Sequence, residues 1–202
     1  MRLQDLICES TNQPLVIVDI QPAYSKYIGF NIHQFFSFVG NYKGKILWMY
    51  NSEEEGFTED SQHSMVEWLY DNNLDIHEHS NIKLFSKGYG NFRSWIDYGI
   101  DDDIIIQVIR ELVAQNKNDS RELFGRDEDK IDKYFAALGM AEDDIQMAKD
   151  DAIHLAYVCI PTLKSYNNCT LVGGGRNECL AEMVLLFDAL RIKYKLLNQF
   201  IY

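Results

Sequence analysis

The residues best equipped for chemistry lie in Cys169 to Leu180, CTLVGGGRNECL, where an apolar strand runs through three glycines into a helix that opens near Cys179. A thiol at a helix N-terminus sits at the positive end of the dipole, where the thiolate is favoured, and the N–H groups of the turn can hold a developing oxyanion. The same turn is equally suited to cradling a phosphate. A cysteine beside it is also an ordinary small buried side chain. Gly174 and Gly175 are the turn positions, and Arg176 follows them.

Two other strand ends carry ionisable groups. Leu15-Val16-Ile17-Val18 is a continuous apolar run that ends in Asp19, the pattern of a buried parallel strand that delivers an acid at its C-terminal end. Ile82 to Ser86 is a second short strand, and Lys87 follows it. Ligands of open α/β sheets bind at that edge. An ammonium near a thiol and an acid lowers the thiol pKa and keeps the acid ionised, so Asp19, Lys87 and Cys179 form a candidate catalytic set. A buried structural ion pair between Asp19 and Lys87 accounts for two of the three equally well.

Taken in order, these motifs resemble the isochorismatase-like cysteine hydrolases, which include nicotinamidases and N-carbamoyl amide hydrolases. Val18-Asp19-Ile20-Gln21 matches the family's first strand end, Lys87-Gly88-Tyr89-Gly90-Asn91-Phe92 is a looser counterpart of its lysine stretch, and Gly173 to Cys179 keeps its glycine-to-nucleophile spacing. The resemblance covers Pro14 to about Leu112 and then Cys169 onward. It implies that Asp19 takes the thiol proton, Lys87 holds the acid and Cys179 attacks a carbonyl to give a thioester. It also implies N–H donors at Gly175 and Cys179 for the oxyanion.

The chain departs from that family at several points. The resemblance implies a cis peptide at Gly174-Gly175, where a glycine pair tolerates either isomer, and a threonine where Arg176 stands. A guanidinium there suits an anionic substrate group and could pair with Glu178; it is equally a solvated charge at a helix start. The metal-binding members carry an Asp/His/His cluster after their second strand. Here Lys45 to Tyr50 leads into Asn51-Ser52-Glu53-Glu54-Glu55-Gly56-Phe57 without histidine, so neither metal nor cofactor is expected. His77 and His79 flank Glu78 in a polar loop, and His33, His63 and His154 are scattered helix residues.

At 202 residues and 47% hydrophobic composition, the chain suits one α/β domain, residues 1–202, and can bury a sizeable core. Strands alternating with helical patterns predict a three-layer αβα fold with a mainly parallel sheet. Helical spacing recurs at Ile32, Phe35, Phe36 and Val39, at Ile105, Val108, Ile109 and Leu112, and at Leu180, Met183, Val184, Phe187 and Leu190. Lys193 to Tyr202 is expected to close the chain as a final strand. Residues 113–168 break the family pattern as a helical insertion, with an apolar stripe at Ile131, Tyr134, Phe135 and Leu138. That insertion is either a lid over the site or a contact between copies of a homo-oligomer.

A net charge of −12 without a basic patch argues against nucleic-acid and anionic lipid partners. The runs Glu53 to Glu55, Asp101 to Asp103 and Asp127 to Asp132 read as solvated helix starts and loops. No membrane-spanning stretch is present, and charge interrupts the N-terminus too early for a signal peptide. Cys8, Cys159, Cys169 and Cys179 lack paired spacing, which suits a reducing cytoplasm. Tyr24, Tyr50, Tyr89, Phe92 and Trp95 are either a substrate-pocket lining or ordinary core. Three functions follow: a cysteine hydrolase of a small amide or related carbonyl compound, a noncatalytic relative holding an anion at the glycine turn, and a metal-dependent phosphoryl-transfer enzyme or nuclease built on Asp19.

Overall fold

The apolar run at residues 15–18 forms strand β1, Leu15–Val18, with every side chain fully buried. Burying a branched aliphatic side chain stabilises by roughly 1.5–3 kcal/mol, so a strand of four such residues belongs at the centre of a sheet. In the computed structural model it does. The structure describes residues 12–52, 60–87, 96, 99–115, 141–143 and 160–202. Five parallel strands lie in the order β3-β2-β1-β4-β5, where β2 is Ile46–Tyr50, β3 Ile82–Ser86, β4 Cys169–Gly173 and β5 Tyr194–Leu196. The α/β class and parallel sheet expected from the sequence are therefore present.

By contact density the chain divides into two compact units. The first comprises residues 1–89, 166–181 and 193–202 and contains the whole sheet. Its core is aromatic. Helix Ile32–Gly40 starts at an Asn31 cap and carries Phe35 and Phe36 against Trp48 of β2, the Phe35 and Trp48 rings meeting edge-on at 5.7 Å and 82°. Phe200 joins Phe30, Phe35 and Phe38 at centroid distances of 5.2–5.5 Å. Each such pair contributes about 0.5–1.5 kcal/mol beyond area burial. The Trp48 indole N–H donates to the Ile20 carbonyl at 2.8 Å and so pins the chain just after β1.

Helix Gln62–Asp71, capped by the Ser61 hydroxyl, adds Met65 and Leu69 to this core. Opposite-parity residues of the central strands, Val16, Val18, Leu47, Met49 and Leu171, are buried as well. Strands buried on both faces read as unbroken apolar runs, which explains the composition of β1 and β2.

The second unit comprises residues 90–165 and 182–192. Within it, helix Asp102–Gln115 begins at Asp101, whose side chain accepts from the Asp103 N–H at 2.9 Å, and it buries Ile105 and Ile109. The Arg110 guanidinium donates to the carbonyls of Asp188 and Ala189, each at 3.2 Å. These carbonyls end helix Cys179–Leu190, where a cation satisfies unpaired acceptors and complements the dipole. Most of the expected insertion, including its Ile131 to Leu138 stripe, lies outside the described residues.

The expected final strand needs correction. Pairing stops at β5, with a last ladder bond from the Leu197 N–H to the Leu171 carbonyl at 3.1 Å, and a 3-10 turn at Asn198–Phe200 follows. The turn carries Phe200, 1% exposed, into the aromatic core instead of along the sheet edge.

Candidate active site

Strand order reverses at β1, which has β2 on one side and β4 on the other, so the topological switch point lies outside the carboxyl ends of β1 and β4. The register pairs Val18 with Gly173. Asp19 and Gly174, the next residues, therefore leave the sheet side by side.

Asp19 is fully buried and has φ 50°, in the left-handed region that costs most non-glycine residues roughly 1–2 kcal/mol and Asp or Asn less. Its N–H still donates to the Met49 carbonyl at 2.9 Å, so the reversal begins at this residue. Such strain persists only where the surroundings enforce it, and it concentrates at functional sites. Across β2, the Lys87 N–H donates to the Tyr50 carbonyl at 3.0 Å, which brings Lys87 to the same edge. Lys87 is 1% exposed, and its Nζ lies 2.9 Å from Asp19 Oδ2.

The ammonium meets Oδ2 as an ion pair, and among the described residues Oδ1 has no hydrogen-bond partner. A buried acceptor left unpaired costs about 1–3 kcal/mol. This carboxylate is thus charge-balanced on one side and has acceptor capacity left on the other.

The glycine turn is built by two consecutive left-handed residues, Gly173 at φ 83° and Gly174 at φ 65°. A side chain at Gly173 would strike the Val18 carbonyl, and one at Gly174 would meet the Leu180 backbone nitrogen at 2.9 Å. The turn therefore packs directly against the first turn of the helix. The Gly175 carbonyl accepts from the N–H groups of Glu178 and Leu180 at 3.0 and 3.2 Å, and Cys179, half-buried, is the first residue of that helix. Among the described residues no peptide bond is cis, so Gly174-Gly175 is trans and differs from the bond that the resemblance implies.

Tyr202 ties the two strand ends together. Its hydroxyl donates to the Asp19 carbonyl at 2.8 Å, its N–H to the Gly174 carbonyl at 3.4 Å, and its own carbonyl accepts from the Arg176 N–H at 2.8 Å. Burial pushes the phenol pKa well above its usual value; the neighbouring Asp19, Cys179 and Tyr24 groups add to this and Lys87 opposes it. Asp19, Lys87, Cys179 and Tyr24 accordingly share one electrostatic neighbourhood around that ring.

Tyr24 sits half-buried in the 3-10 turn Pro22–Tyr27, and its hydroxyl accepts from Asn51 Nδ2 at 3.0 Å. Tyr50, buried at the end of β2, contributes the carbonyl that holds Lys87. Arg176 is exposed, and its guanidinium bonds Asn198 Oδ1 at 3.0 Å instead of Glu178. Tyr89 and Phe92 lie outside the described residues. So does Trp95.

A polar network unanticipated from the sequence borders this edge. Gln21, fully buried, donates from Nε2 to Asp60 Oδ2 at 2.9 Å and to the Asn51 carbonyl at 3.2 Å, and its Oε1 accepts from the Asn51 N–H at 3.0 Å. Asp60 also accepts from the Ala23 N–H at 3.0 Å. These bonds fasten the 3-10 turn carrying Tyr24 to the end of β2. Among the described residues, the buried Asn51 Oδ1 has no hydrogen-bond partner. The only signal for the network was Gln21 in the first motif; nothing in the acidic stretch around Asp60 marks that one residue for burial.

Among the described residues no three His, Cys, Asp or Glu side chains group as a metal site, and no helix is long and apolar enough to cross a membrane. A surface depression between helix Gln62–Asp71 and His77 is lined by Val66, Tyr70 and Ile76 and contains no candidate residue. No family model, curated protein or solved structure matches the chain, so the case for a function rests on the site itself.

Proposed function

We propose that this chain is a cysteine hydrolase of the isochorismatase-like kind that cleaves a C–N bond in a small carboxamide or related carbonyl compound. The fold reading that goes with it is a three-layer αβα sandwich with a helical insertion at residues 113–168. The observation that carries the proposal is the buried Asp19–Lys87 pair with Asp19 Oδ1 unpartnered among the described residues, at the sheet edge where the glycine turn leads into Cys179.

In this reading Asp19 Oδ1 takes the Cys179 proton as the sulfur attacks the substrate carbonyl. The C–S bond forms, and the carbonyl oxygen becomes an oxyanion held by N–H groups of the turn. The tetrahedral intermediate collapses with cleavage of the C–N bond while Asp19 returns the proton to the leaving nitrogen. Water, deprotonated by Asp19, then attacks the thioester, and the carboxylic acid departs as the thiol is restored. Lys87 supplies the counter-charge beside Asp19 throughout these transfers. Tyr24 and Tyr50 border the substrate, and Arg176 suits an anionic substituent at the rim. The reaction belongs in a reducing cytoplasm, where the thiol stays free.

The test is ammonia release from a panel of carboxamides and N-carbamoyl compounds, with acid-quenched peptide mass spectrometry for an acyl group on Cys179. Turnover and adduct, both absent in Cys179→Ser, are the expected results. No adduct on any member, with phosphate slowing Cys179 modification, would instead favour the anion-binding module.

A further inference from the structure

We infer that Tyr202 is a positioning residue of this site, the strut that holds the acid and the thiol-bearing turn in register; the inference rests on the hydrolase reading above. Its two outgoing hydrogen bonds end on the carbonyls of Asp19 and Gly174, which have φ 50° and 65°. Both residues are left-handed, both directly follow a central strand, and they start from the paired positions Val18 and Gly173. One side chain and its backbone therefore brace the two bends that set the distance between Asp19 and Cys179. The Arg176 N–H, bonded to the Tyr202 carbonyl at 2.8 Å, extends the brace to the start of the Gly175–Glu178 turn.

The geometry also accounts for the residue type. Phe200, two positions earlier, anchors the segment in the aromatic core, and Tyr202 itself packs half-buried against that core. A phenol reaches the Asp19 carbonyl at 2.8 Å where phenylalanine would supply the ring without the donor. Burial beside Asp19 keeps the phenol protonated, so the donor persists across the working pH range. The hydrogen bond of the hydroxyl ends on main chain, so its effect on the reaction passes through Asp19.

A structural tyrosine and a positioning tyrosine differ in one readout. The experiment measures Cys179 alkylation by iodoacetamide against pH, resolved by peptide mass spectrometry, in wild type, Asp19→Asn, Tyr202→Phe and the double variant. If Tyr202 sets the acid-to-thiol distance, the shift in alkylation midpoint caused by Asp19→Asn shrinks by at least about half in the Tyr202→Phe background; each unit of midpoint is a tenfold change in thiolate fraction. An undiminished Asp19→Asn shift, with Tyr202→Phe changing only the denaturation midpoint, overturns the inference and leaves the hydrolase reading intact. No Asp19→Asn shift in the wild-type background overturns both. Tyr202→Met, which fills the volume without a donor, replaces Tyr202→Phe if that variant does not fold and must give the same reduction.

Discussion

Removing Lys87 is the sharpest energetic test of how the site is built. With side-chain exposures of 1% and 0% and a separation of 2.9 Å, Lys87 and Asp19 form a pair that water cannot screen. Lys87→Met keeps the aliphatic volume and leaves a carboxylate buried without its counter-charge, a change that costs about 3–5 kcal/mol. Asp19→Asn leaves the ammonium stranded and should cost a similar amount, with no added backbone penalty because asparagine tolerates a φ of 50°. The double variant replaces both charges by neutral groups and recovers most of that loss, so the coupling energy of the cycle should exceed about 2 kcal/mol. An exposed pair gives about 0–1 kcal/mol. Urea unfolding followed by tryptophan fluorescence, with m-values compared, reads all four proteins. Single losses under about 1 kcal/mol that simply add would refute the claim that burial makes this pair interdependent.

Two further outcomes follow from the same structure. Gly173→Ala combines a φ of 83° with a Cβ driven into the Val18 carbonyl, which belongs to the sheet and cannot give way, so it should cost at least about 2 kcal/mol or prevent folding in a chemical-denaturation series. Burial in β4 pushes the Cys169 thiol up from 9.0 to about 12, so the unfolded chain loses this proton before the folded one does. Its contribution is fully present below about pH 9 and is lost as pH rises toward 12, with a slope of up to about 1.4 kcal/mol per pH unit. Cys169→Ala should flatten that alkaline decline in urea midpoints measured from pH 8 to 11, and an unchanged slope would contradict it.

What could be read in advance depended on whether a residue's role is local. Leu15 to Val18 announces a central strand because burial on both faces demands an unbroken apolar run, and the ionisable residues just past β1 and β3 reach a common edge because parallel strands all point one way. Helix Gln62–Asp71 was visible only through His63. It fully buries just Met65 and Leu69, while Val66 and Tyr70 put apolar surface outside that stripe and blur its periodicity. The departure at Asn198–Phe200 was hidden because Phe200 alternates as well with a strand as with a core contact, and only the packed Phe30, Phe35 and Phe38 decide between them. Tyr202 carries no local mark at all. Its partner Asp19 lies 183 residues away, and the bond depends on where β1 and β4 end. The Gln21–Asp60 contact is long-range in the same way.

The central claim is that Cys179 belongs to the same charged unit as Asp19 and Lys87, and the ultraviolet thiolate absorbance of wild type minus Cys179→Ser, titrated against pH, tests it most directly. Nearby charges act with opposite signs on a thiol: Lys87→Met should raise the Cys179 midpoint, and Asp19→Asn should lower it. Opposed shifts of about half a unit or more, in variants shown to be folded, are the predicted result. Coincident curves for all three proteins would contradict the account and leave Asp19 and Lys87 as a buried structural pair.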